Sequence, residues 1–242
     1  MSIVDRDKLV SELAREVALF QQSHPKSQEE AERSKANLLT GCGLSWWHMW
    51  SGGYPLCIKE GHGSTLVDID GNSYTDFCLG DTGAMTGHAP PAAISIIADK
   101  LKHGSSFMMP TEDHLWVAKE LQRRFGLSHW QYALSASDAN RFAIRWARFA
   151  TGRSKVMVFN HSYHGSVDET LAELDENGNV VPKIGNLGYG INPAETTKVV
   201  EFNDIDAARR ALEPRDVAIL LVEPALTNTS IVLPEPGFLE KL

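Results

Sequence analysis

Cysteine is scarce: three in 242 residues, at Cys42, Cys57 and Cys78. An odd number at irregular spacing leaves no disulfide framework and offers no C-x-x-C metal pair, which points to a reducing compartment. Excess positive charge is missing as well, because 31 acidic residues outweigh 23 lysines and arginines for a formal net charge of -8. A surface of that sign argues against nucleic acid or an anionic membrane as the main partner. Long apolar runs are also lacking. One of the longest, Val217 to Val222, falls far short of the roughly 20 residues that a membrane-spanning helix needs. No basic, then apolar, then small-residue leader opens the chain, so a cytoplasmic location is expected. What is present, 43% hydrophobic and 22% charged residues, suits a globular chain with a core of useful size.

Residues 5–22 put Leu9, Leu13, Val17 and Phe20 on one side of a helix that Pro25 stops, and a polar stretch follows. The segment GCGLSWWHMWSGGYP, Gly41 to Pro55, carries three tryptophans between glycines and reads as a loop. From Leu56 to Cys78 the pattern is a β-hairpin, TLVDI and SYTDFC alternating about Asp70-Gly71-Asn72. A helix covers about Pro91 to Lys102, with Ile94, Ile97 and Leu101 on one face. A second helix starts after Pro110-Thr111 and ends at Phe125-Gly126. After residue 130 strands and helices alternate: QYALS as strand, 138–151 as helix, KVMVFN and TKVVEF as strands, DIDAARRALE as helix, VAILLVEP as strand. Such alternation predicts an α/β fold with a mostly parallel sheet, and the aliphatic last strand is expected to be covered on both faces. In the helix over 138–151, Phe142, Trp146, Phe149 and Ala150 read as core. The chain stops at PGFLEKL, in what read as the first turns of a new helix, and is expected to be the front part of something longer.

Three stretches carry residues suited to chemistry. Ser135-Ala136-Ser137-Asp138 falls where a strand gives way to a helix, the place where ligands collect in doubly wound sheets. Helix-tip N–H groups there make a phosphate site, and the same residues also fit a capping box. FNHSYHGSVDET, Phe159 to Thr170, follows a strand end and presents Tyr163 and His164. The tyrosine can stack on a planar ring or simply cover the core. His161 and His164 form an H-x-x-H in a loop with no H-E-x-x-H helix, which does not make a zinc site, and no metal is expected. Glu223-Pro224 ends an apolar strand, where a carboxylate is costly unless paired or functional, and Asn228 follows close behind.

Taken in order, these stretches resemble the class III, pyridoxal-phosphate-dependent aminotransferases, in the glutamate-1-semialdehyde 2,1-aminomutase branch. The family pattern N-S-G-T-E-A, A-R-x-x-T-G-R, Y-H-G and E-P-x-x-x-N is met here by LSASDA, ARFATGR, YHG and EPALTN. DIDGNSYTDF, GHAPP, MPTED and PGFLEKL match further family signatures, and the resemblance covers about residues 50–242. It implies fold type I, with residues 1–100 as N-terminal arm and part of a small α+β domain. Residues 101–242 would then begin the large cofactor-binding α/β domain, incomplete here. It implies pyridoxal 5′-phosphate as cofactor, a homodimer, and small amine and keto-acid substrates. It further implies that Ser135, Ala136 and Ser137 hold the cofactor phosphate, that Tyr163 stacks on its ring beside His164, and that Glu223 and Asn228 lie by the ring and its phenolic oxygen.

The match has departures. Leu134, Ala136 and Asp138 stand where the commonest pattern has asparagine, glycine and glutamate, changes that leave a backbone-built phosphate site possible. No lysine here has the context of the family's Schiff-base lysine, and its pyridinium-pairing aspartate is not met either. Residues 1–242 are therefore assigned no catalytic residue, and by themselves are expected to be inactive. The aminomutase binds its substrate carboxylate with an arginine shortly before G-G-x-P, whereas this chain has Trp46, Trp47 and Trp50 there. That suits apolar or aromatic groups near the reacting amine, hence a transaminase acting on an amine or amino acid and a keto acid or aldehyde. The aminomutase or a related isomerase is the alternative, and an inactive ligand-binding fragment the third reading.

Overall fold

The computed structural model describes residues 5–49 and 51–242 and divides the chain into two compact units, Met1–Pro110 and Thr111–Leu242. The first unit opens with α1 (Arg6–Ser23), whose N-cap Asp5 accepts from the N–H groups of Asp7 and Lys8, followed by α2 (Pro25–Ser34). The polar stretch after Pro25 is thus helical. Proline takes the first helical position, where its missing N–H costs nothing. Asp70, 44 residues on, supplies the cap that His24 does not: its carboxylate accepts from Lys26 N at 2.7 Å and from Ser27 N and Oγ at 3.0 and 2.8 Å.

The expected hairpin is a three-stranded antiparallel sheet, β1 (Ile58–His62), β2 (Thr65–Asp68) and β3 (Ser73–Thr75), in that order. Its aspartates have structural partners. Asp68 is fully buried and accepts from the Tyr74 hydroxyl at 2.7 Å and from Asn72 N and Nδ2 at 2.8 and 3.0 Å. Burial pushes this carboxyl up, but those hydrogen bonds and that of Gly71 outweigh it and leave it below the usual carboxylate range. Asp76 accepts from His88 Nε2 at 2.6 Å and from the N–H groups of Cys78 and Leu79. α3 (Pro91–Leu101) then follows.

The second unit begins with α4 (Glu112–Phe125) and α5 (Ala136–Thr151). QYALS is not a strand: none of the described strands pairs with it, and an unpaired strand cannot satisfy its backbone. β4 (Lys155–Phe159) is followed by a hairpin that the sequence pattern did not reveal, β5 (Ala172–Leu174) and β6 (Val180–Pro182), and by the short α6 (Pro193–Thr196). β7 (Thr197–Val200), α7 (Ile205–Leu212), β8 (Val217–Leu220) and α8 (Phe238–Lys241) complete the unit. β4 lies between β7 and β8, parallel to both, as expected of α/β alternation.

Two clusters form the core on either side of this sheet. One joins Ile144 of α5 to Val156, Val158, Val167, Ala172 and Val199. The other joins Met157 and Phe159 to Val200, Ala208, Val217 and Phe238. This follows from the period of β4, whose residues alternate between the faces. β8 is less enclosed than its composition suggests, with only Val217 buried. α5 corrects a further expectation. Ile144 is its one buried residue, whereas Phe142, Trp146 and Phe149 are exposed (37%, 67% and 83%) and line an open groove of about 500 Å³ with Gln131 and Arg145. They lie on helix positions that Ile144 does not share, and nothing among the described residues covers them. Gly152 ends α5 in the left-handed conformation (φ 68°), which a glycine adopts without steric cost.

Candidate functional site

The first turn of α5 is, to begin with, an ordinary cap. Ser135 has extended backbone, and its Oγ accepts from Asp138 N at 3.1 Å and donates to Asp138 Oδ2 at 3.0 Å. The first N–H groups of any helix lack an intrahelical acceptor. Ser135 satisfies that of Asp138, and among the described residues those of Ala136 and Ser137 have no acceptor, at the positive end of a 16-residue helix. Ala136 is exposed and Ser137 half-buried, so an anion can reach both.

The loop after β4 is fastened to this turn. Ser166 N donates to Ser137 Oγ, Asn140 Nδ2 to the carbonyl of His164, and Arg141 Nη2 to that of Ser166, all at 3.0 Å. Gly165 sits between, at φ 82°, so close that an added Cβ would lie 2.2 Å from Ser137 Oγ. Only a residue without a side chain allows this approach.

The same loop is held from the other side by the segment after β8. Tyr163 N donates to Glu223 Oε2 at 3.0 Å, while Glu223 Oε1 accepts from Thr227 N at 3.4 Å and Thr227 Oγ1 at 3.2 Å. The strand-end carboxylate is therefore paired, which accounts for its tolerance there. The Tyr163 side chain remains half-exposed (50%) and free to lie against a planar group. His164 beside it is buried (9% exposed), and among the described residues its Nε2 has no hydrogen-bond partner. Burial pushes the pKa of this imidazole below its ordinary value, Glu223 opposes the shift, and Lys183 adds to it. The neutral ring is thereby favoured, with its Nε2 unsatisfied among the described residues.

Ser135, Ala136, Ser137, Tyr163, His164 and Glu223 converge at the carboxyl ends of β4 and β8, where ligands collect in open α/β sheets. Asn228 is exposed on the segment closed by the pairing of Leu226 with Val232, and among the described residues no hydrogen bond ties it to the others. Trp46 and Trp47 belong to the first unit, in a short 3-10 helix (Ser45–Met49) rather than a loop. Their rings meet edge to face at 6.1 Å, and Trp46 is half-exposed. Trp50 lies outside the described residues. His161 is exposed, and among the described residues no group of three or more histidines, cysteines or acids could hold a metal ion. Thr227, Asn140 and Ser166 escaped the sequence reading. The one available signal was a hydroxyl four residues after a strand-end glutamate, which is too common to single out.

A model of the family described as aminotransferase class-III matches residues 48–242. Among curated proteins, the chain is 34% identical over 195 residues to a glutamate-1-semialdehyde 2,1-aminomutase of Methanocaldococcus jannaschii, covering 78% of this chain and 45% of that protein. It is 37% identical over 197 residues to the one of Roseiflexus castenholzii, covering 79% and 45%. Among solved structures, a glutamate-1-semialdehyde-aminomutase from Pseudomonas aeruginosa PAO1 matches with TM-score 0.94 and 47% identity, over 98% of this chain and 52% of that one. A lysine-to-alanine variant of that protein was crystallised in complex with PMP. An omega-transaminase from Sphaerobacter thermophilus matches with TM-score 0.81 and 29% identity, over 89% and 51%. The chain thus spans about half the length of the relatives it matches.

Proposed function

Because this chain belongs to the class III aminotransferases, the family whose model covers most of its length, we propose that its second unit forms part of a pyridoxal-phosphate site for amino-group transfer. The observation that carries this is the convergence, within one unit, of a helix tip with spare N–H groups, a half-exposed tyrosine and a fixed carboxylate.

The residues fit the cofactor. Ala136 N and Ser137 N, with the Ser137 hydroxyl proton, supply donors for a phosphate at the helix tip. The close approach of Gly165 to Ser137 sets the loop that carries Tyr163 against the helix tip, and the half-exposed Tyr163 would stack on the ring of a cofactor held there. The unsatisfied Nε2 of His164 is a buried polar atom that a ligand atom can complete. Asn228 is assigned to the phenolic oxygen of the ring. Bound there, the cofactor supplies a carbonyl that takes up the amino group and a ring that accepts the electron pair left on the donor carbon. No lysine of residues 1–242 has the family's catalytic context, so these residues alone should bind without turnover. A homodimer and a cytoplasmic location belong to the same proposal.

Two forms of the transfer are in view. Trp46 and Trp47, where the resemblance called for an arginine, favour a transaminase that accepts an apolar or aromatic donor. The names of the relatives up to 47% identical favour an aminomutase. The test uses the protein at the full length its gene encodes, loaded with pyridoxal phosphate. Alanine formed from pyruvate and an aryl amine supports the transaminase, and rearrangement of glutamate-1-semialdehyde without pyruvate supports the aminomutase. If neither the donor nor glutamate-1-semialdehyde is consumed, amino-group transfer is refuted.

A further inference from the structure

Both oxygens of Glu223 are occupied, one by the backbone of Tyr163 and the other by Thr227, whose N–H and hydroxyl both point to Oε1. A carboxylate on a glutamate has two free side-chain torsions before its terminal one, and a single hydrogen bond at 3.0 Å does not fix them. Two donors on the far oxygen do, because turning the carboxylate away from Tyr163 then breaks three bonds rather than one. We infer that Thr227 is a positioning residue: it locks the Glu223 carboxylate in the orientation that anchors the Tyr163 backbone, and so sets where the Tyr163 ring lies. The chain of effect runs from the segment after β8, through one acid, into the loop after β4. The importance of that ring for a ligand rests on the cofactor reading above, but the latch itself does not.

The geometry separates Thr227 from a merely structural residue. Thr227 is exposed and belongs to neither core cluster, so removing its hydroxyl opens no cavity. Thr227→Val keeps shape and backbone but deletes the 3.2 Å bond, and Thr227→Ser keeps the hydroxyl. The first readout is hydrogen exchange of the Tyr163 amide in the protein without cofactor. Thr227→Val should speed it by about 3- to 10-fold, the loss expected of one charge-assisted hydrogen bond acting indirectly, and Thr227→Ser should stay within about 2-fold. The amides of Val158 and Val200, in the central sheet, should not change in either variant.

The second readout is titration with pyridoxamine 5′-phosphate, followed by its fluorescence. Thr227→Val should weaken binding by a similar factor and Thr227→Ser should restore it. If Tyr163 exchanges alike in wild type and Thr227→Val, the latch is overturned whatever the titration gives. If the amide responds and the wild type takes up no pyridoxamine phosphate, the latch stands and the cofactor reading falls.

Discussion

Gly165→Ala is the sharpest single perturbation of the arrangement at the start of α5. The residue has φ 82°, and an added Cβ would meet Ser137 Oγ at 2.2 Å and Ser137 Cα and Cβ at 3.1 Å. Two costs arise independently. Holding an alanine in the left-handed region costs about 1–2 kcal/mol. Forcing a methyl into an occupied space costs roughly 1–3 kcal/mol more, since the Ser137 backbone belongs to a helix and cannot retreat freely. The variant should therefore lose about 2–5 kcal/mol in urea unfolding, seen as a lower midpoint at an unchanged slope. Combining it with Ser137→Ala removes the 2.2 Å contact but not the two at 3.1 Å. The double variant should accordingly recover about 1 kcal/mol relative to additivity, while the backbone term remains. A Gly165→Ala protein within about 0.5 kcal/mol of wild type, or strict additivity in the double variant, would refute the close approach of loop and helix.

Other consequences can be checked with the same protein. Burial lowers the pKa of His164, so the stability it contributes is fully present above the ordinary imidazole value of about 6.5. That contribution should disappear as pH falls through the lower folded-state value, and His164→Gln should flatten the fall in melting temperature over that window. Asp70 caps α2 from across the unit, and Asp70→Ala should cost about 1 kcal/mol, read by chemical denaturation. Although burial acts to raise the Asp70 carboxyl, the bonds from Lys26 and Ser27 lower it. Stability should therefore decline as pH drops below about 3.9 towards the depressed value, less steeply in Asp70→Asn. Ile144→Ala should cost about 2–5 kcal/mol because that residue is buried in the core. Phe149→Ser, on an 83% exposed position, should change stability by no more than about 0.5 kcal/mol.

What could be read from the sequence was whatever depends on short-range pattern. The parallel strands β4, β7 and β8, the helices α4 and α7 and the β2–β3 pairing about Asp70-Gly71-Asn72 all follow from local periodicity and turn residues. QYALS failed because periodicity names a segment fit to be a strand, whereas a strand exists only where a neighbour completes its ladder. α1 does end before Pro25, at Ser23, but the same proline opens α2, because at the first helical position its missing N–H is not needed. The outer aromatics of α5 read as core because apolar spacing does not say which face of a helix will be covered. In the site, Ser137, Tyr163 and Glu223 could be named from their places at strand and helix ends. Their mutual hydrogen bonds, and the part of Thr227, depend on segments about 30 to 60 residues apart meeting, and no local signal encodes that.

The central claim is that the spare N–H groups at the tip of α5 receive the phosphate of a vitamin B6 cofactor beneath Tyr163. It is tested most directly by following the backbone amide resonances of the isotopically labelled protein while pyridoxal 5′-phosphate is added. The amides of Ala136, Ser137 and Tyr163 should shift together and saturate at one equivalent. Shifts confined to exposed lysines, with those three amides unmoved, would contradict it.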